Sequence, residues 1–185
     1  MHKFDPANAL RLERPDRHEL LRPADTLRKF GLAEGMTLVD VGAGTGFFAR
    51  AAAGVVGPSG RVYAVDSSEE MLGLMRQLGL PPQVIPLWSQ EYAIPLPDGT
   101  ADMALAAFVL HETADRKRFV EELLRIVRRG GRVVVLEWKR QSEEHGPPEE
   151  ERLAEGELDD TLRLFSPASG GSLNPSHYYR ILERT

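Results

Sequence analysis

The sequence predicts a single α/β domain built on a central, mainly parallel sheet with helices on both faces, and three observations carry that expectation. Short apolar runs alternate with segments whose apolar residues recur at helical spacing, the pattern of a parallel sheet covered on both sides. The first run ends in an acid and then in glycines at alternate positions: Asp40-Val41-Gly42-Ala43-Gly44-Thr45-Gly46, followed at once by Phe47-Phe48-Ala49. The second run, Val62-Tyr63-Ala64-Val65, also ends in an acid, Asp66. The 185 residues, 42% of them hydrophobic, suffice for one domain with a sizeable core.

The elements follow in order. Within 1–36, Pro15 and Pro23 suit the first turns of two short helices, Leu20, Leu21, Leu27 and Phe30 supply an apolar stripe, and Gly31 suits a C-terminal cap. This segment is expected to pack on the core formed by 37–185, with roughly its first 20 residues acting either as a lid over a site or as part of a helix pair covering a sheet edge. Residues 37–42 form strand one and 45–54 the first helix. Residues 61–66 form strand two, and Ser67-Ser68-Glu69-Glu70 opens the second helix with a serine cap and early acids. Strand three is expected at 83–87, strand four at 101–107 and a helix at 115–127. Arg128-Arg129-Gly130-Gly131 is expected to end that helix, with strand five at 132–138. A last helix is expected at 153–165, with Glu149-Glu150-Glu151 as its solvated start, and an antiparallel strand at 177–183. The Ser- and Gly-rich stretch 166–176 suggests no strand.

Bulk properties narrow the function. A net charge of −5 argues against a protein whose main task is gripping nucleic-acid backbones. The absence of cysteine excludes thiolate metal ligands and cysteine nucleophiles. The longest apolar run, 103–110, is too short to cross a bilayer, and the first residues carry no apolar signal core, so a cytoplasmic protein is expected. The histidines show no metal-ligand spacing, and no metal site is expected.

The glycine turn decides the chemistry. A phosphate-cradling loop needs Gly-Lys-Ser/Thr, and Gly46 is followed by Phe47. Gly42 and Gly44 suit a dinucleotide fold, but its third glycine would stand at Phe47 and falls at Gly46. Asp40 would repel a pyrophosphate and attract a ligand bearing ammonium and sulfonium charges. Asp66, twenty positions after Gly46, suits both hydroxyls of a ribose lacking a 2′-phosphate, although it could instead cap the helix that follows. A nucleoside with a cationic amino-acid tail describes S-adenosylmethionine.

These residues, with Ser67-Ser68-Glu69-Glu70-Met71-Leu72, Ile94-Pro95-Leu96-Pro97-Asp98, and the stretches 101–111 and 125–135, resemble the class I S-adenosylmethionine-dependent methyltransferases. The branch they resemble is that of the ubiquinone/menaquinone-biosynthesis enzymes. The resemblance implies a three-layer α/β/α Rossmann-like fold, S-adenosyl-L-methionine as cofactor, and transfer of its methyl group by in-line displacement to a small-molecule acceptor. It implies that Asp40, Val41, Gly42, Ala43, Gly44, Thr45 and Gly46 hold the methionine tail, that Asp66 binds the ribose, that Ser67 is among the cofactor-binding residues, and that Met71 lies near the adenine. Relatives carry Gly-Asp-Ala where this chain has Trp88-Ser89-Gln90-Glu91, so the adenine contact falls among Ser89, Gln90 and Glu91. Phe108 to Glu112 would face the methyl group and acceptor. His111, just past strand four, could take a proton from an acceptor hydroxyl or amine; its alternative is a loop anchor. Phe4, Trp88, Tyr178 and Tyr179 are candidate acceptor-pocket aromatics. A monomer or homodimer is expected. Two readings stay open beside this one: an NAD-dependent oxidoreductase, which would share the fold and Asp66, and a non-catalytic module that binds S-adenosylmethionine.

Overall fold

The structure, a computed structural model, describes residues 6–185; Phe4 lies outside them. Seven strands form one sheet: β1 (Thr37–Val41), β2 (Arg61–Asp66), β3 (Val84–Trp88), β4 (Ala101–Ala107), β5 (Val127–Trp138), β6 (Ser169–Ser172) and β7 (His177–Glu183). Among the described residues six α-helices accompany them: α1 (Pro15–Leu21), α2 (Pro23–Lys29), α3 (Phe47–Val56), α4 (Glu69–Gln77), α5 (Arg116–Ile126) and α6 (Glu155–Leu162). The spatial order is β3-β2-β1-β4-β5-β7-β6. The first five strands pair in parallel, and β7 and β6 are antiparallel. From β1 the chain winds outward through β2 and β3, then returns to place β4 on β1's other side. The carboxyl ends of β1 and β4 therefore flank a topological switch point, where open α/β sheets bind ligands.

Alternation along the strands divides the core. Leu38, Leu105, Val134 and Leu136 pack with α2, α3 and α4 on one face; Val39, Ala104, Val133 and Val135 pack with α5 and α6 on the other. Asp40 thus points to the α3 face and Glu137 to the α5 face. The N-terminal helices join the α3 face. Leu21, Leu27 and Phe30 are buried there, α2 packs on α3, and the Phe30 ring meets Tyr179 at 4.9 Å. The edges of the sheet are β3 and β6, so these helices cover a face rather than an edge.

Three elements differ from the sequence expectation. Arg128-Arg129-Gly130-Gly131 does not cap α5. The helix ends at Ile126, Val127 is already extended and pairs with Ala101, and 128–131 form an irregularity inside a longer β5. Val127 is β-branched and fully buried, and Arg128 Nε donates to Asp102 at 2.7 Å, so the strand begins before the glycines. The last helix is shorter than 153–165. Glu157 accepts from the Ala154 N–H and sets its start, while the triple-glutamate run forms a separate 3-10 turn, Glu149–Glu151. β6 forms from Ser169-Gly170-Gly171-Ser172, which has no strand periodicity. It is held by its ladder to β7, and a Cβ on Gly170 would sit 2.1 Å from the Tyr179 carbonyl oxygen.

Between β5 and α6 the chain loops over the carboxyl end of the sheet, and one buried side chain holds that loop. The Arg152 guanidinium, 2% exposed, donates to the carbonyls of Lys139, Gln141, His145 and Pro147 at 2.8–3.1 Å and to Glu143 at 2.9 Å, and lies 5.0 Å over the Trp138 ring. Replacing Arg152 by Met leaves those carbonyls without their donor. Arg152→Met is expected to lower stability by about 2–4 kcal/mol and to make 139–148 the first segment cut in limited proteolysis. Unchanged denaturant unfolding and an unchanged cleavage pattern would contradict the role given to Arg152.

Candidate active site

A cavity of about 770 Å³ opens at the switch point, within the range that holds a cofactor-sized ligand. The glycine turn forms its floor. Gly42 and Ala43 donate to the Val65 carbonyl at 2.8 and 3.0 Å, drawing the turn against the end of β2. Gly42 has φ +71, and a Cβ there would stand 2.4 Å from Val109 Cγ2, so the close approach of the two segments depends on glycine. Asp66 ties the turn down further: Oδ2 accepts the Gly44 N–H at 2.7 Å and Oδ1 accepts the Ser68 N–H at 2.9 Å. Ser68, not Asp66, caps α4, through the Met71 N–H at 3.2 Å.

Of the residues singled out in the sequence, Asp40, Val41, Gly42, Ala43, Gly44, Thr45, Asp66, Ser67, Met71, Ser89, Gln90, Glu91, Phe108 and His111 all line this cavity. Gly46 is not among its lining residues. At φ +82 it begins α3, and a Cβ there would fall 2.8 Å from Met75 Cγ, so its place in the fold is close packing of α3 against α4. Ser89 directs its hydroxyl to the carbonyls of Gln90 and Ala93 at 2.7 and 3.3 Å, shaping the turn that carries Gln90 and Glu91. Trp88, Tyr178 and Tyr179 do not line the cavity. Trp88 is half exposed with its indole N–H on the Ser67 carbonyl, Tyr178 is buried with its hydroxyl on the Leu153 carbonyl, and Tyr179 packs on Phe30.

The electrostatic centre is Asp40, 2% exposed, whose Oδ2 is buried without a hydrogen-bond partner. Burial raises its pKa to about 7; the Ala49 N–H in the first turn of α3 opposes the rise, Asp66 adds to it, and Arg17 opposes it. Arg17 comes from α1, which forms a roof with the 3-10 stretch before it. Its guanidinium lies 4.2 Å from the Phe47 ring centroid and 5.7 Å from that of Phe108 and donates to the Leu12 carbonyl at 2.7 Å. Burial lowers Arg17 to about 10, against the attraction of Glu13 and Asp40, so it remains a cation at neutral pH. Glu13 fastens the roof to the floor, accepting from the Thr45 hydroxyl and from Arg50, both at 2.5 Å.

The far end of the cavity has a different character. Glu137, fully buried on β5, accepts the His111 backbone N–H at 3.2 Å and meets His111 Nδ1 at 2.8 Å. The closer carboxylate makes Nδ1 the donor of the neutral ring, while Nε2 lies 3.8 Å from Glu112 Oε1. Burial alone would lower His111; the charge and hydrogen bond of Glu137, with Glu112 and Glu151 adding, outweigh it and hold the imidazole above its ordinary value. Phe108 takes φ +62, a rare conformation for a bulky residue, and its ring packs with Trp138 and His177 at 5.5 and 5.0 Å. Trp138 and His177 also line the cavity, as does Arg17. Sequence reasoning missed Arg17, Glu137 and Trp138, and treated His177 only as a histidine without metal-ligand spacing. Among the described residues no cluster of His, Asp and Glu is arranged to hold a metal ion, and no helix is long and apolar enough to cross a membrane.

A family model described as a methyltransferase domain matches residues 39–135, which run from the glycine turn through β5. The chain belongs to the methyltransferase domain family. A crystal structure of an S-adenosylmethionine-dependent methyltransferase from Aquifex aeolicus is 35% identical, covers 99% of this chain and 100% of its own, and superposes with a TM-score of 0.93. The ubiquinone/menaquinone biosynthesis C-methyltransferase of Pasteurella multocida is 32% identical over 114 residues, 60% of this chain and 42% of that protein. A demethylmenaquinone methyltransferase from a Geobacillus strain is 34% identical over 116 residues, 61% of this chain and 50% of that protein. The chain thus spans about half the length of the curated relatives it matches.

In this methyltransferase domain the buried acid of β1 ties stability to pH. The pKa of Asp40 is raised on folding, so its contribution is full below about 3.8 and is lost as pH rises through about 7. Asp40→Asn is expected to gain stability on the wild type between pH 5 and pH 8, on the order of a few kcal/mol in the ligand-free protein. Thermal unfolding of both proteins across that range measures the difference; a constant difference would contradict the burial of an ionisable Asp40.

Proposed function

We propose that the protein binds S-adenosylmethionine across the glycine turn and transfers its methyl group to a small-molecule acceptor, with His111 as the general base. The observation that carries the cofactor is the orphaned Oδ2 of Asp40. A buried acceptor without a donor costs about 1–3 kcal/mol, and the ammonium of an amino-acid tail supplies the missing donor and charge. A pyrophosphate placed over the same carboxylate would meet like charge in a poorly solvated site, which disfavours a nicotinamide dinucleotide. Asp66 lines the cavity at the end of β2, where the ribose hydroxyls would lie, and Met71, Ser89, Gln90 and Glu91 bound the space beyond it for the adenine. When bound, the cofactor supplies a methyl group already activated by positive sulfur.

What remains for the chain is to align the acceptor, exclude water and remove a proton. Roofing by α1 and by loop 139–148 serves the first two tasks; Arg14 of the roof meets His145 of the loop at 3.3 Å across the mouth. His111 serves the third. Its Nε2 accepts the proton of the acceptor's hydroxyl, amine or activated carbon, and Glu137 holds the ring in the required tautomer and stabilises the imidazolium that results. The named activities of the similar proteins support acceptors of quinol type, methylated at carbon. The His111–Glu137 pair favours turnover over a non-catalytic binding module.

The test uses methyl-labelled S-adenosylmethionine with a panel of small phenols, quinols and amines. His111→Gln is expected to lower kcat by about 100-fold or more while affinity for S-adenosylhomocysteine stays within about twofold. At saturating cofactor, kcat is expected to fall as pH drops through the raised pKa of His111, above the ordinary imidazole value of about 6.5, because the protonated ring cannot act as a base. Glu137→Gln is expected to move that limb downward. Full turnover in His111→Gln would remove the base assignment, and no transfer to any acceptor by a protein that binds the cofactor would favour the binding module.

A further inference from the structure

His177 stands at the start of β7, opposite Trp138 at the end of β5, and is 1% exposed. Its tautomer is fixed by its neighbours. The Asn174 side-chain oxygen accepts the backbone N–H groups of Ser176 and His177 at 3.0 and 2.9 Å, while the Asn174 amide nitrogen donates to the Leu20 carbonyl at 3.1 Å. The amide orientation is therefore set by three backbone contacts, and its oxygen can only accept. His177 Nδ1, 2.9 Å from that oxygen, must carry the proton. Nε2 is then a bare acceptor, and it is buried with no partner. Burial, with Arg17, Arg152 and Lys139 adding and Glu143 opposing, keeps the ring neutral, at a pKa of about 3.

An acceptor left bare in this way is costly unless something donates to it. Its surroundings indicate what. The rings of Phe108, Trp138 and His177 stand 4.2–5.5 Å apart and are tilted 42–58° to one another, so they make a corner rather than a stack. All three line the same cavity as His111, and the strained backbone of Phe108 is what carries its ring into that corner. Gly146 of the overlying loop lies on the Trp138 indole, where a Cβ would come within 3.0 Å, and Arg152 holds that loop in place. The planar guanidinium of Arg17 reaches the Phe108 ring from the roof, a flat donor-bearing group already accepted beside this corner.

We propose that His177 Nε2 is the hydrogen-bond acceptor that seats the methyl acceptor, receiving an O–H or N–H of a flat ring packed against Phe108 and Trp138. This rests on the methyltransferase reading above and adds to it the substrate class: a planar ring bearing a donor group other than the proton removed by His111. His177 here positions and selects; it takes no proton.

Phenol and anisole form a matched pair of probes, alike in ring and oxygen but differing in the O–H. With the protein saturated in S-adenosylhomocysteine, phenol is expected to bind about tenfold more tightly than anisole, and His177→Phe to abolish that preference. In the wild type, the imidazole nitrogen resonances of His177 are expected to report the Nδ1–H tautomer and Nε2 to shift on adding phenol but not anisole, a readout that needs no variant to fold. Equal affinities in the wild type, no binding of either probe at millimolar concentration, a preference that survives His177→Phe, or an unmoved Nε2 resonance would each overturn the proposal. S-adenosylhomocysteine affinity, measured on the same samples, reports separately on the cofactor reading. Were it absent, that reading fails, and the phenol–anisole comparison on the protein alone decides the role of His177.

Discussion

Burying a carboxylate at the centre of a sheet's carboxyl edge is a constraint that the surrounding structure must meet. Asp40 sits between β2 and β4, beneath the glycine turn, with one oxygen that no protein group satisfies. The cost is limited in three ways. The N–H of Ala49 points at it from the first turn of α3, the guanidinium of Arg17 is lowered from the roof, and the carboxyl can take a proton near neutral pH. None of these fills the orphaned position. The site is thus poised for a cation, and its shape and charge follow from the same few contacts that fold the turn.

The turn itself is a junction of three segments. Val65 and Asp66 of β2 accept its N–H groups, Val109 beyond β4 fits where a side chain at Gly42 would be, and Glu13 of the roof reaches Thr45 and Arg50. The N-terminal stretch is therefore tied to the floor of the cavity rather than to a distant edge. The opposite end is built by strand alternation. Neighbouring residues on β5 project to opposite faces, so Glu137 reaches His111 on one side while Trp138 meets His177 on the other. His111 and His177 thus line one cavity, and the Nδ1 of each meets a dedicated oxygen, of Glu137 and of Asn174.

Much of this was legible in the chain before its structure. The parallel strands are near-continuous apolar runs, and two acids stand out toward their ends, Asp40 before the glycine turn and Asp66 before Ser67-Ser68. What was not legible depended on partners distant in sequence. Ser169–Ser172 is a strand only because β7 offers it a ladder. Arg128-Arg129-Gly130-Gly131 looks like a helix stop until Val127 is seen to pair with Ala101. Glu137 reads as the tail of an apolar run, and only its 2.8 Å contact with His111 gives it meaning. His177 lacks any local motif; its role rests on Asn174, Phe108 and Trp138, the last two far away in the chain. Arg17 sits in a segment whose helical spacing says nothing of the cavity it enters.

On the proposed reading, the acidic floor selects a nucleoside with a cationic tail over a pyrophosphate dinucleotide. The most direct measurement is thermal unfolding with S-adenosylhomocysteine or NAD, each titrated over the wild type and Asp66→Ala. S-adenosylhomocysteine is expected to stabilise the wild type by about 2.7 kcal/mol at a hundred times its dissociation constant, NAD to leave it unchanged, and Asp66→Ala to weaken the response while still unfolding cooperatively. Stabilisation by NAD with none by S-adenosylhomocysteine would contradict it.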